Sequence, residues 1–457
     1  MKFIGLDIGT TTLCGIALDA ATGAAVEAVT VANDAAQQSP NPWERLQDPD
    51  RIVDTVRGIL DRLLGNHPDV RGVGVTGQMH GILHVNRDGR AASPLFTWQD
   101  GRGELDGGGG ISFARRLSEL AGHPLSTGYG LVTHFWHIAN RALPPDAVAL
   151  CTIGDYVVMR LAGLDRPRMD PTNAASLGLF DMQRTAFDRP ALERATLDAA
   201  FLPEVVPSGT PAGEAAPGIP VVVALGDNPA SFLGAVRDVA RTTLVNVGTG
   251  GQVTAFSPEF IQAPGLETRP FPGAGYILVG ASLCGGRAYT LLADFFRITC
   301  ARFAGRDDMD VYGIMNAIGA EALNQPNGPR VDTRFAGTRE APDIRGAVTN
   351  LSVDNFTPGR LVAGLLDGMA EELHGFFRRM PASIRERTDT LAGAGNGIRE
   401  NPLLRRILGE RFGRPVRVPA CREEAAAGAA LCAAVGTGAL RSFREAGAAL
   451  RYKEIIP

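Results

Sequence analysis

Leu6–Leu18 reads LDIGTTTLCGIAL and Val245–Phe256 reads VNVGTGGQVTAF. Each is an apolar run, a Gly-Thr turn and a second apolar run, the pattern of a β-hairpin. They sit about half a chain apart in 457 residues, which implies an internal duplication and two similar domains facing each other. Glycine allows a tight turn, and its N–H groups and threonine hydroxyls suit a polyphosphate. The first turn also opens on an acid, Asp7, placed to face a cation or its bound water. Either stretch alone would pass as an ordinary hairpin. Two phosphate-type turns opposed across one cleft say more than one.

Between them lies Val221–Ser231, VVVALGDNPAS. Four apolar residues, Val221–Ala224, predict a buried strand that Leu225-Gly226 ends. Asp227 follows, then Asn228. A carboxylate at the end of a buried strand, beside a glycine that admits a ligand, suits a general base acting on a sugar hydroxyl. The alternative is that Asp227 only N-caps a helix starting near Pro229.

Composition excludes several classes. The chain is 45% hydrophobic and 21% charged, as a soluble globular protein is, and its length fits two large domains. A net charge of −4 and a pI of about 6.0 lack the basic footprint of a nucleic-acid binder. No apolar run spans a bilayer, and the N-terminus enters a strand pattern with no cleavable signal. Six scattered cysteines without a CxxC pair read as reduced cytoplasmic thiols rather than a zinc site.

The remaining segments fill in an α/β pattern. Arg51–Leu64 has helical apolar spacing. Val70–Val75 predicts a strand ending in Gly77-Gln78-Met79-His80-Gly81, at the edge where open α/β sheets take ligands. Gln78 and His80 suit sugar hydroxyls there. Thr97–Arg102, TWQDGR, joins a ring face to planar polar groups, the means of gripping a sugar; the alternative is a surface turn with an Asp100–Arg102 ion pair. His134 and His137 are spaced i, i+3 on a helix with no third ligand, so they read as packing residues. Pro203–Pro220 reads as a linker. Tyr276–Leu283 predicts a strand and Phe356–Phe377 a long amphipathic helix. The glycine-rich turn Leu391–Gly397 enters a helix and suits an adenosine or a phosphate. Ala425–Val435 predicts a closely packed small-residue helix.

Together these residues resemble the FGGY family of carbohydrate kinases over nearly the whole chain. Asp7–Thr12 (DIGTTT) is similar to the first phosphate loop, Val247–Gly251 (VGTGG) to the second and Gly393–Gly397 (GAGNG) to the adenosine loop. Asp227 falls where the family has its base. Gly77–Gly81 (GQMHG), Thr97–Arg102, Gly154–Val158 (GDYVV) and Asn173–Ser176 (NAAS), in that order, resemble the branch acting on sedoheptulose, although QMHG is shared with xylulose-phosphorylating members. One departure is Gly250-Gly251, where many members carry Ser or Thr.

The resemblance implies an α/β fold of two duplicated actin/hexokinase-like (ribonuclease H-like) domains around a central cleft. Residues 1–226 would carry the sugar and the first phosphate loop, and residues 227–457 the nucleotide. It implies transfer of the ATP γ-phosphate to the terminal primary hydroxyl of a ketose, sedoheptulose first. D-Xylulose or D-ribulose is the alternative, and a non-sugar actin-fold ATPase the different-class one. ATP and Mg²⁺ are the implied cofactors. Asp227 and Asp7 are the catalytic candidates, with Asp7 toward the metal. Gln78, Met79, His80, Trp98, Asp100 and Asn228 are the sugar candidates. Gly9, Thr10, Thr11, Thr12, Gly248, Thr249, Gly250, Gly393, Gly395 and Asn396 are the nucleotide candidates. The implied chemistry is positioning and charge neutralisation, with domain closure near Gly226 excluding water. The expected protein is a cytoplasmic monomer or homodimer with no nucleic-acid or membrane partner.

Overall fold

The computed structural model describes residues 1–323, 325–338, 341 and 343–453. Its contacts divide into two units. The first holds Met1–Arg237, Arg269–Tyr276 and Glu423–Arg451; the second holds Asp238–Thr268, Ile277–Arg422 and the chain from Tyr452.

The first unit is built on β1 (Lys2–Ile8), β2 (Thr12–Asp19), β3 (Ala24–Ala32), β4 (Val70–Gly77), β5 (Pro211–Ala216), β6 (Ile219–Val222) and β7 (Leu225–Gly226). Its sheet runs β5-β6-β4-β1-β2-β3, and β7 also pairs with β4. The strands β1, β2 and β3 form an antiparallel meander, while β4 lies parallel to β1 and β6 and β7 lie parallel to β4. Among its helices up to Arg237 are α1 (Pro49–Asn66), α2 (Gly130–Ala139), α3 (Ile153–Ala162), α4 (Pro171–Leu177) and α5 (Asp227–Ala235). The start of α1 is set by Asp48, whose carboxylate accepts from the N–H groups of Asp50 and Arg51, with Pro49 just inside. Its apolar stripe, Ile52, Val53, Val56, Ile59, Leu60 and Leu63, is buried in the core. Pro203–Pro220 is not a simple linker, because β5 folds back antiparallel on β6 within it. The apolar run at Val221 is one strand interrupted: Val223 and Ala224 separate β6 from β7, though all of Val221–Leu225 is fully buried.

The second unit repeats the plan with β8 (Thr242–Val247), β9 (Gly251–Ser257), β10 (Tyr276–Ser282), β11 (Thr390–Ala394) and β12 (Val416–Arg417). They are ordered β10-β9-β8-β11-β12, with β8 antiparallel to β9 and parallel to β11. This matches the first sheet's β3-β2-β1-β4 order, so the duplication read from the two hairpins is present in topology. Helices α6 (Gly286–Ala304), α7 (Val311–Ala322), α8 (Pro358–Arg379) and α9 (Asn396–Arg399) pack around it.

Helix α10 (Glu424–Gly436) then returns to the first unit. It is made of small residues because the approach is close on two sides. A Cβ on Gly5 or Gly74 of the sheet would stand 1.8 Å from the carbonyl oxygen of Ala426 or Ala429, and one on Gly428 would stand 1.9 Å from that of Ala230 in α5. This packing places both α5 and α10 in the first unit, whereas a division at 226/227 would put them in the second.

The histidines of α2 sit in a buried polar cluster. Arg102 is 1% exposed and grips Asp100, itself fully buried, through Nε–Oδ1 (2.6 Å) and Nη2–Oδ2 (3.2 Å). Its guanidinium lies 4.1 Å from the Phe96 ring centre and 4.8 Å from that of Trp136. Arg102 donates to Nε2 of His137 (2.9 Å), whose Nδ1–H donates to the Thr133 carbonyl (2.8 Å). His84 Nε2 and His134 Nδ1 share a proton at 3.0 Å. A neutral His137 is required, since a protonated one would face Arg102 donor to donor.

Burial holds His134 and His137 down at about 4 and His84 well below its usual value, with neighbouring positive charge adding to it. The unfolded chain therefore binds more protons between about 4 and 6.5. The stability these rings contribute is complete above that window and is lost as pH falls through it, on the order of 3 kcal/mol for one such histidine. Burial raises the carboxyls of Asp155 and Asp170, to about 7 and about 6, which gives the opposite slope. The clean measurement is thus the wild-type-minus-His134→Gln unfolding free energy against pH. It is expected to shrink from pH 6.5 to 4; a flat difference would mean that His134 carries no such linkage.

Candidate active site

The first Gly-Thr turn is held by its carbonyls. Gly9 N–H closes the hairpin onto Thr12 O (3.0 Å), Asn33 donates to the carbonyls of Gly9 and Thr11 (both 2.9 Å), and Gln47 donates to that of Thr10 (2.8 Å). Among the described residues no acceptor takes the N–H groups of Thr10 and Thr11, which is the arrangement an anion needs. Thr12 begins β2 and serves the hairpin.

Asp7 lies two residues beyond Gly5 on β1, so it shares the face covered by α10 and meets Glu423 at that helix's start. Its carboxyl is raised to about 8, first by burial, then by the negative charges of Asp227 and Glu423. Asp227 is the first residue of α5. The cap position belongs to Gly226, which has no side chain to cap with, so Asp227 is a first-turn residue and not the cap. Burial raises Asp227 as well, opposed by Arg269 and by the Asn228 N–H. Arg269 is buried deeply enough to be lowered, with Tyr129 and Asp227 opposing. Three acids and an arginine thus meet in one electrostatic field. Arg269 and Glu423 escaped the sequence reading: neither lies in a glycine turn or beside an aromatic, and each comes from a distant segment.

The approach to Asp227 is fixed by residues of the GDYVV and NAAS segments. Asn173 Nδ2 donates to Ala224 O (3.0 Å) and lies 3.4 Å from Asp155 Oδ1. Thr172 Oγ1 accepts from Gly226 N–H (2.9 Å), and Thr76 Oγ1 donates to Leu225 O (3.0 Å). Asn173 and Ser176 are 1% and 4% exposed, so this segment aims its neighbours rather than lining open space. Ser176 holds His80 by its hydroxyl to the backbone N–H (3.1 Å) and by its carbonyl to Nδ1 (2.8 Å). That makes Nδ1 a protonated nitrogen, since a carbonyl oxygen can only accept. His80 has φ 71°, strained for a residue with a Cβ, and its ring stacks on Tyr129 at 4.7 Å. Strain held from several directions is characteristic of binding sites.

Other candidates fall differently. Met79 is buried, packed under Gly226 with Arg269 4.0 Å from its sulfur. Gln78 is 3% exposed; its Oε1 accepts from Thr10 Oγ1 (3.2 Å) and its Nε2 donates to Gln47 Oε1 (2.9 Å). Trp98 is 47% exposed and donates from Nε1 to Thr10 Oγ1 (3.1 Å). Asp100 is not presented to a ligand. Both oxygens are taken by Arg102, and Oδ2 also accepts from Arg45 N–H (3.0 Å). The Asp100–Arg102 pair is real but buried, not a surface turn. Asn228 follows Asp227 in the first turn of α5.

In the second unit the carbonyls of Gly248 and Thr249 accept from the N–H groups of Gly286 (2.9 Å) and Arg287 (3.1 Å) at the start of α6. A Cβ on Gly250 would stand 2.7 Å from Ser282 O, and one on Gly285 would stand 2.3 Å from Gly250. That crowding is why a serine or threonine is absent here. Gly395 (φ 80°) and Gly397 press on the Val247 carbonyl, and Gly393 presses on Val416, so Gly393 and Gly395 serve packing. Asn396 and Gly397 line a cavity of about 750 Å³ together with Gly248, Thr249, Tyr289 and Asn316. Phosphate-type turn, aromatic wall and amide share one cavity, as a nucleoside phosphate requires.

A family model for the N-terminal domain of the FGGY family of carbohydrate kinases matches residues 2–234, and the corresponding C-terminal model matches residues 243–437. A sedoheptulokinase of Mus musculus is 30% identical over 90% of this chain and 93% of its own. A xylulose kinase of Streptomyces coelicolor is 27% identical over 94% and 87%. The crystal structure of xylulose kinase from Rhodospirillum rubrum superposes with a TM-score of 0.84 at 22% identity, over 100% of this chain and 94% of that one. The architecture is therefore the actin/hexokinase-like one.

Proposed function

The chain belongs to the FGGY family of carbohydrate kinases and is an ATP-dependent sugar kinase; on that premise we propose that its acceptor is the terminal primary hydroxyl of sedoheptulose, with Asp227 as general base. The observation that carries the base is the place of Asp227: a carboxyl at the first position of α5, raised by burial, with the charge of Arg269 and the Asn228 N–H opposing that rise. Likeness to the mouse sedoheptulokinase over nine-tenths of the chain supports the seven-carbon sugar.

In this reading Asp227 orients the hydroxyl and takes its proton late, as the new O–P bond forms. His80 Nε2 accepts from a sugar hydroxyl, and the Trp98 ring lies along C–H groups. The Thr10 and Thr11 N–H groups, and the turn at Gly248–Gly250, face phosphate. Asp7 is the residue that would hold a magnesium ion. Its raised carboxyl, crowded by Asp227 and Glu423, is a site a cation would relieve. Among the described residues no three His, Cys, Asp or Glu side chains gather to hold a metal by themselves, which fits an ion that arrives with the nucleotide and keeps its waters. When bound, the ion supplies charge neutralisation at the phosphates.

The test is ADP release with MgATP and one sugar at a time. The highest kcat/KM is expected with sedoheptulose. A higher value with D-xylulose or D-ribulose would move the assignment to a pentulose and leave Asp227 in place. Equal ADP release with and without sugar would favour the non-sugar ATPase instead.

A further inference from the structure

We propose that Gln47 is a positioning residue that couples the sugar wall to the shape of the first phosphate turn. This rests on the reading above, in which Thr10 belongs to the phosphate turn and the Gln78–Trp98 region to the sugar. Four hydrogen bonds carry it. Gln47 Nε2 donates to Thr10 O at 2.8 Å, Gln78 Nε2 donates to Gln47 Oε1 at 2.9 Å, Thr10 Oγ1 donates to Gln78 Oε1 at 3.2 Å, and Trp98 Nε1 donates to Thr10 Oγ1 at 3.1 Å. The first three form a closed ring that starts and ends on Thr10.

The ring has one direction. Reversing the Gln47 amide would set its oxygen against the Thr10 carbonyl and its nitrogen against that of Gln78. Gln47 and Gln78 are 4% and 3% exposed, so water does not readily replace a lost partner. Gln78 N–H also donates to Ile8 O (2.9 Å), which pins the same side chain's backbone to the strand that carries Asp7. The most exposed member is Trp98, and Thr10 and Gln47 also line an open pocket of about 400 Å³. A sugar hydroxyl that engages Gln78 or displaces the Trp98 ring must redistribute bonds that end on Thr10. Gln47 is the member that transmits this to the Thr10 carbonyl, and so to the facing of the Thr11 N–H that shares its peptide plane. The consequence is a phosphate turn best formed when sugar is present, and hence suppression of ATP use in its absence.

The experiment is steady-state kinetics of Gln47→Met, Gln47→Glu and Gln47→His, with thermal melts of each. Met keeps the bulk and removes both polar functions. Glu keeps the acceptor for Gln78 and loses the donor to Thr10. A neutral imidazole restores one donor and one acceptor. For Met and Glu, kcat/KM for MgATP is expected to fall by about tenfold, the worth of one such bond. Their sugar KM is expected to stay within about twofold of wild type, and the ratio of sugar-dependent to sugar-independent ADP release to fall by a similar tenfold. Gln47→His is expected to recover part of both.

A merely structural role would lower the melting temperature and leave that ratio unchanged. Wild-type MgATP kinetics in whichever of Met or Glu folds, or a change confined to the sugar KM, overturns the proposal. If the wild-type enzyme itself shows no sugar-stimulated ADP release, it is the reading of the site that has failed, not the role of Gln47.

Discussion

Asp227→Asn is expected to fold, to bind MgATP with near-wild-type affinity and to lose phosphoryl transfer by about 10²-fold or more, the usual worth of an acid–base residue. The amide has the shape of the carboxyl, so the entry into α5 and the packing of Gly226 on Met79 are kept. What disappears is the proton acceptor and one negative charge. Asp7 then has one negative neighbour fewer, so its carboxyl comes down from about 8, while the buried Arg269 loses a negative neighbour; with the two changes opposed, the variant is expected to stay close to wild type in stability. Loss of turnover with stability kept marks a residue retained for chemistry rather than for folding. Single-turnover rates with saturating sugar, calorimetric binding of MgATP and a thermal melt together check this. Wild-type turnover would remove Asp227 from the mechanism; a large drop in melting temperature would return it to a structural role.

Gly74→Ala is the second large effect, and it acts on the fold. Its new methyl would stand 1.8 Å from Ala429 O and 2.5 Å from Ala429 C, backbone atoms of α10 with no rotamer to swing away. Relief requires α10 to lift from the sheet, and α10 is also wedged against α5 at Gly428 and Gly234. A destabilisation of about 3 kcal/mol or more is expected, at the upper end for overpacking. The control is Gly58→Ala in α1, where the added Cβ meets nothing within 4 Å; helix propensity there favours alanine by about 0.5–1 kcal/mol. Urea unfolding of the two variants measures both. A Gly74→Ala protein as stable as wild type would mean that the sheet–helix contact is looser than these distances require.

Much of the fold was legible because its signals are contiguous. LDIGTTTLCGIAL and VNVGTGGQVTAF each contain both strands and the turn of a hairpin, and the topology repeats with them. The helices at Pro49–Asn66 and Pro358–Arg379 announced themselves by apolar spacing. The two acids stood out as charges at the ends of apolar runs. Asp100 was misread for the same reason in reverse. A polar hexapeptide with a tryptophan looks like a surface grip, and nothing local says that Phe96, Trp136 and His137 will pack around its arginine.

The sequence by itself determined the duplicated hairpins, the strand leading toward Asp227 and the family. These are properties of neighbouring residues, where steric limits on φ and ψ and the strand period act over a few positions. Only the tertiary structure decided that Arg269 and Glu423 share a field with Asp227 and Asp7, that Gln47 holds the Thr10 carbonyl, and that α10 crosses back to seal the first sheet. Those are through-space facts. Coulomb interaction, desolvation and the clearance around a missing Cβ depend on distance in three dimensions, and the chain sets that distance only after its crossovers bring residues tens to hundreds of positions apart side by side.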